Sequence, residues 1–182
     1  MFALDFSKAF DTVRHTTFME KMTNLSLCDD IYNWINDLFI GHSHCTKFMG
    51  TTSEFVDILA SVIQSSALGP ASFIVTASDL QPIHAGNALV KFADDTYVVV
   101  PAVNSNTCAS ELAHVQTWAD GDNLKLNWSK LKEIIFTGRR PPGSAEVPPC
   151  MGIPQVHSIT ALGVVLNDKM NAADHVSLLL TP

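Results

Sequence analysis

The sequence predicts an α+β fold, with helices packed on one face of a mainly antiparallel sheet. Three observations predict it. Apolar residues recur at helical spacing in separate stretches, most clearly Ile31, Trp34, Ile35, Leu38 and Phe39. Short β-rich runs, the plainest being residues 89–100, are bounded or interrupted by turn-forming residues. These two kinds of segment do not alternate in the regular strand–helix–strand order of a doubly wound parallel sheet. At 47% hydrophobic and 16% charged over 182 residues, the chain can fill one core and is too apolar to be disordered.

Taken in order, Phe2-Ala3-Leu4-Asp5-Phe6 reads as a short buried strand with one acid inside it. A helix follows, marked by Phe18, Met22 and Leu25. The next spans 29–40, with Asp29 and Asp30 at its start to cap free amides and meet the positive dipole end, and Gly41 after its last turn. Around Gly50 the pattern becomes two alternating runs, Cys45–Met49 and Glu54–Leu59, which predict a hairpin. Gly69-Pro70 opens a helix to about Leu80, with proline in the first turn. Residues 89–100 give two strands joined at Asp94-Asp95, and 107–122 an amphipathic helix through Leu112, Val115 and Trp118. Strands are expected at Glu133–Thr137 and Thr160–Leu166. Between them, Gly138 to Pro149 carries Arg139, Arg140 and four prolines, a surface loop.

Composition excludes several classes. No stretch approaches the ~20 apolar residues of a spanning helix, and the N-terminus lacks a basic n-region before Asp5. Both point to no membrane and an intracellular protein, nuclear or cytoplasmic. Cys28, Cys45, Cys108 and Cys150 form no Cys-x-x-Cys pair, which fits reduced thiols. His42, His44 and Cys45 lack a second pair at zinc-like spacing. Eleven Lys+Arg against eighteen Asp+Glu leave a net charge of −7 and a pI near 5.3, the opposite sign from a free-standing nucleic-acid binder.

Three carboxylates stand out. Asp5 is flanked by Leu4 and Phe6, and Asp94 and Asp95 interrupt a run whose one other charge is Lys91. Two such charges about 4 Å apart repel by roughly 4 kcal/mol at an effective dielectric near 20. Either a turn exposes them or a cation compensates them, and hard, oxygen-seeking Mg²⁺ is the natural candidate.

The text around these acids resembles a family. Leu4-Asp5-Phe6-Ser7-Lys8-Ala9-Phe10-Asp11-Thr12-Val13 is similar to the first catalytic motif of reverse transcriptases from non-LTR (LINE-type) retrotransposons, and Phe92-Ala93-Asp94-Asp95-Thr96 resembles their second. Ile63-Gln64-Ser65-Ser66-Ala67-Leu68-Gly69-Pro70 looks like the Pro-Gln-Gly element, with Ser65 where that element has glycine. Leu126-Asn127-Trp128-Ser129-Lys130 resembles the Leu-Asn-x-x-Lys segment, and Leu162-Gly163-Val164 the primer-grip region. These elements stand in the family's order from 4 to about 166.

The resemblance implies an RNA-directed DNA polymerase palm, an antiparallel sheet backed by helices, with fingers and thumb largely missing. Residues 1–182 would be a partial palm domain, with 138–158 a surface loop and 159–182 the start of a primer-grip and thumb connection. The implied chemistry is two-metal nucleotidyl transfer extending a DNA primer on an RNA template from deoxynucleoside triphosphates. Two Mg²⁺ ions, with Mn²⁺ a possible substitute, would be held by Asp5, Asp94 and Asp95, of which Asp5 and Asp94 bridge the metals and Asp95 is less deeply engaged. The backbone amides of Phe6 and Ala9 would cradle the triphosphate.

Phe10 stands where the family places the aromatic that blocks a ribose 2′-hydroxyl, and equally reads as a core aromatic. Gln64 would contact nucleotide or template, or is a polar loop residue. Lys130 is a candidate proton donor near the pyrophosphate, or an exposed lysine at a strand entry. Asp11 is expected to cap the following helix. Stripping fingers and thumb would leave an acidic palm with exposed apolar surface. Two other readings stay open: a catalytically dead retrotransposon-derived palm remnant acting as an interaction module, and a generic metal-dependent phosphotransferase. The second explains the acids but not the elements at 63–70 and 126–130. Sequence leaves the oligomeric state unknown.

Overall fold

The computed structural model describes residues 1–62, 68–137 and 147–180. Its elements are β1 (Phe2–Leu4), β2 (Phe6–Ser7), α1 (Ala9–Thr12), α2 (His15–Met22), α3 (Asp29–Phe39), β3 (Ser43–His44), β4 (Lys47–Phe48), β5 (Thr51–Thr52), β6 (Val56–Asp57), α4 (Leu68–Thr76), β7 (Ala88–Phe92), β8 (Asp95–Val99), α5 (Cys108–Gly121), β9 (Lys125–Leu126), β10 (Lys132–Glu133), β11 (Ser158–Ala161), β12 (Val164–Asn167) and α6 (Ala173–Leu180). The mixture is helical with antiparallel sheets. It divides into two compact units: Met1–Ser7, Leu80–Ala119 and Lys125–Pro182 form the first, and Lys8–Asp79 with Asp120–Leu124 the second.

The first unit is built on a four-stranded sheet in the order β10-β1-β8-β7. β1 lies between two antiparallel partners, with Phe2 opposite both Glu133 and Val98. Strand alternation turns Phe2 and Leu4 inward and leaves Ala3 half-buried. Leu112, Val115 and Ala119 of α5 are fully buried, as the amphipathic pattern predicts, and the Trp118 ring meets Phe6 edge-on at 6.0 Å. Each fully buried Phe or Leu side chain contributes about 1.5–3 kcal/mol of hydrophobic stabilisation.

Glu111, on the same helix, is also fully buried. Its carboxylate accepts from the backbone N–H groups of Ile83 (3.2 Å) and His84 (2.9 Å) and from Asn87 Nδ2 (2.8 Å), and His84 Nδ1 lies 3.0 Å away. It satisfies a loop with no ladder of its own, just ahead of β7.

The second unit packs α2, α3 and α4 around Val13, Phe18, Met22, Phe39, Val62 and Phe73. Phe39 holds Phe18 edge-on at 5.3 Å and stacks on His15 at 4.5 Å. Lys21 is pulled inward, donating to the Thr76 carbonyl (2.6 Å), to Asp79 (2.7 Å) and to Asp122. Burial raises the Asp122 pKa although Lys21 opposes the shift.

Several expectations need correction. The 2–6 strand is broken at Asp5: β1 belongs to the four-stranded sheet and β2 pairs separately with β9. Leu25 lies beyond the end of α2, and α4 stops at Thr76 rather than Leu80. Cys28, not an aspartate, occupies the N-cap of α3 with no side-chain cap bond, so Asp29 and Asp30 act through the helix dipole alone. Its apolar stripe is half out, with Ile35 and Phe39 buried but Ile31 and Trp34 exposed. Asp11 lies inside α1, and Arg14 takes the N-cap of α2.

The hairpin around Gly50 has short ladders, β4 on β5 and β3 on β6, closed by Met49 and Gly50 at φ 46° and 81°. Thr160–Leu166 is two strands, because Leu162 and Gly163 at φ 48° and 80° reverse the chain between β11 and β12. Of Glu133–Thr137, only Glu133 is in a ladder. Residues 138–146 of the expected loop lie outside the described residues, and Ile153, further along, is buried.

Candidate active site

The site grows out of the break in the first strand. Antiparallel pairing of Leu4 with Thr96 means that the next residue along β1, Asp5, stands just beyond the ladder beside Asp95, the first residue of β8. The Asp5 carbonyl accepts from Asn127 N–H at 2.8 Å, so the chain is held there as it passes from one sheet to the other. Asp94 sits in the two-residue turn between β7 and β8, where Ala93 takes a left-handed φ of 50° and Phe92 pairs with Asp95. Such a backbone costs a residue with a Cβ about 1–2 kcal/mol.

Asp5 and Asp95 line one open cavity of about 390 Å³, together with Tyr97, Lys130, Lys132 and Thr160. The Asp5 Oδ1 accepts from Lys130 Nζ at 3.3 Å, whereas its Oδ2 is buried with no hydrogen-bond partner among the described residues. Burial raises the pKa of Asp95, and the charges of Asp94 and Asp5 push it the same way. The Tyr97 hydroxyl is raised too, by burial and then by Asp95. Asp95 therefore feels both other acids, and it, rather than Asp94, stands on the cavity wall beside Asp5.

The other sequence candidates are placed as follows. Phe6 is 5% exposed, its ring against Trp118 and its backbone paired with Leu126. Ala9 is buried at the start of α1. Phe10 packs its ring against Phe73 at 5.4 Å, the contact of a core aromatic. Gln64 and Ser65 lie outside the described residues. Lys130 is largely exposed and reaches Asp5.

Lys132, Tyr97 and Thr160 were not anticipated. Lys130 and Lys132 are two apart, the spacing of one strand face, but that spacing points at the acids only once Lys132 is known to pair with Ala3.

Among the described residues, no group of three or more His, Cys, Asp or Glu is arranged to hold a metal ion. The donors present nevertheless fit a hard divalent cation. Asp5 and Asp95 offer carboxylate oxygens to one cavity, the buried Asp5 Oδ2 has no partner among the described residues, and burial together with the charges of Asp94 and Asp5 disfavours the ionised state of Asp95.

Residues 1–166 match the family described as reverse transcriptase (RNA-dependent DNA polymerase), and the chain belongs to that family. It is 27% identical over 185 residues to the probable RNA-directed DNA polymerase from transposon X-element of Drosophila melanogaster. It is likewise 27% identical over 188 residues to the RNA-directed DNA polymerase from mobile element jockey of the same fly. Each alignment covers 96% of this chain and 20% of the relative, so the chain spans about a fifth of the length of these relatives. Among solved structures it is similar to telomerase from Candida tropicalis in complex with a TWJ fragment of telomeric RNA. The TM-score is 0.66 at 10% identity, covering 97% of this chain and 29% of that one. At that identity the likeness speaks to the fold.

Proposed function

We propose that the chain is the palm portion of an RNA-directed DNA polymerase that extends a DNA primer on an RNA template, with Asp5, Asp94 and Asp95 as its catalytic carboxylates. In this reading 1–182 is a partial palm, with 159–182 the start of the connection toward a primer grip and thumb. The supporting observation is that Asp5 and Asp95 share one cavity in which a buried Asp5 oxygen has no partner.

The reverse transcriptase family generally uses divalent metals. Asp5, Asp94 and Asp95 would hold two Mg²⁺ or Mn²⁺ ions, with Asp95 on the cavity wall beside Asp5 and Asp94 in the adjoining turn. When bound, such ions lower the pKa of a primer hydroxyl and neutralise a leaving pyrophosphate. The chain's own part is positioning. The Leu4–Thr96 register sets the spacing of the acids, and the Asn127 bond fixes the Asp5 backbone. Lys130 and Lys132 give the same cavity a cationic side suited to phosphate oxygens. Phe6 and Ala9, through their amides, and Phe10 and Gln64 complete the nucleotide- and template-facing set by resemblance.

Primer extension by the full chain on an RNA template with Mg²⁺ or Mn²⁺ tests this. Incorporation lost in Asp5→Asn and Asp94→Asn supports a polymerase. No incorporation but saturable, Asp5-dependent Mn²⁺ binding favours the non-catalytic remnant. Absence of both overturns the assignment of the acids.

A further inference from the structure

Resting on that metal reading, we propose that Lys130 is a displaceable counter-ion for Asp5, occupying its carboxylate while no divalent cation is bound and giving it up when one binds. The ammonium satisfies only one of the two Asp5 oxygens, Oδ1 at 3.3 Å, and leaves the buried Oδ2 open. The pairing is held in place by the backbone. Asn127 N–H donates to the Asp5 carbonyl at 2.8 Å, and Lys130 N–H donates to the Asn127 carbonyl at 3.1 Å, so the short turn that carries Lys130 is tied to the Asp5 backbone. Ser129 Oγ braces that turn by donating to Asn127 Oδ1 at 2.7 Å.

Only the lysine side chain has to move to release Asp5. It is free to do so, because its side chain is 65% exposed and that of Asp5 is 37% exposed. An ion pair this open to water is weak, so a doubly charged ion displaces it at small cost. Lys132 provides the internal comparison. It lines the same cavity, yet among the described residues it forms no ion pair. A general effect of positive charge acts through both lysines, whereas displacement acts through Lys130 alone.

The experiment is a titration with Mn²⁺ alone, following free Mn²⁺ by its paramagnetic resonance signal. It uses the wild-type 182-residue chain and K130M, K130R, K132M, D5N and the K130M/D5N double variant, each checked for an unchanged circular dichroism spectrum. K130M is expected to tighten Mn²⁺ binding about two- to five-fold, the range an exposed ion pair allows. K130R stays near wild type, K132M changes less than K130M, and the K130M advantage vanishes when Asp5 is already Asn. Equal shifts in K130M and K132M, or a K130M advantage that survives D5N, overturn the proposal while leaving the metal site standing. Wild-type binding that is indifferent to D5N overturns the metal reading itself, and this proposal with it.

Discussion

Replacing Glu111 by alanine tests whether one buried acid holds the approach to the acidic hairpin. The carboxylate is fully buried and serves four polar neighbours, the Ile83 and His84 backbone N–H groups, His84 Nδ1 and Asn87 Nδ2. At about 1 kcal/mol net per bond, and more for each buried donor left unsatisfied, Glu111→Ala should cost about 4 kcal/mol. That is a large share of the roughly 5–15 kcal/mol expected of a domain. Glu111→Gln keeps an acceptor for His84 and Asn87 but turns an amide toward Ile83, and should cost about 1–2 kcal/mol.

The pH dependence supplies a second signature. Burial alone would raise the Glu111 pKa, but the hydrogen bonds from Asn87, Ile83 and His84 outweigh it and bring the value below the ordinary 4.5. The stabilisation is therefore complete above about pH 4.5 and is lost as pH falls through the lowered folded value. Urea melts at neutral pH and below 4.5 measure both effects. A Glu111→Ala loss under about 1 kcal/mol, or equal acid sensitivity in wild type and Glu111→Gln, would refute the reasoning.

Other outcomes follow from single contacts. Lys21→Met strands the buried Asp122 carboxylate and should lower stability by about 3–5 kcal/mol in the same melts. Ala93→Gly relieves the left-handed φ of 50° and should gain about 0.5–1 kcal/mol net of glycine's extra chain entropy, read as a higher Tm. Asp95→Asn removes a carboxylate that burial and two like charges disfavour, so the variant should be more stable than wild type at neutral pH. The raised Asp95 pKa means that the folded chain holds its proton more tightly, so wild-type stability declines as pH rises from 3.8 through the folded value, and Asp95→Asn flattens that decline.

What could be read from sequence was local. Asp94 and Asp95 interrupt an apolar run, and a hairpin does turn there; the 112–118 stripe does bury Leu112 and Val115. What escaped was set by distant partners. Nothing near Asp5 says that β1 ends at Leu4, because the break follows from pairing with Thr96 and then Leu126. Which acid of the pair lines the cavity depends on a register of one residue, and a slip of one would exchange them. Nothing in the sequence around Glu111 marks it as buried, and only the loop N–H groups of Ile83 and His84, which donate to it, explain its position. Cys108 and Cys150 are far apart in sequence, yet the fold brings their thiols close enough to shift one another, and burial above all pushes the Cys150 thiol up to about 11.

The acidic centre works against the stability of the fold that carries it. Asp5 keeps a buried oxygen without a partner among the described residues, Asp95 is disfavoured as a carboxylate by burial and by its two acidic neighbours, and Ala93 takes a left-handed turn beside them. None of these contributes to packing, since the burial that holds the first unit together lies with Phe2, Leu112, Val115 and Ile134. The costs at Asp5 and Asp95 fall at one cavity beside a core that obeys hydrophobic patterning, as the proposed cation site should show. A divalent cation, as the proposed function requires, would offset both the open Asp5 oxygen and the like charges around Asp95, where Lys130 reaches only Asp5 Oδ1.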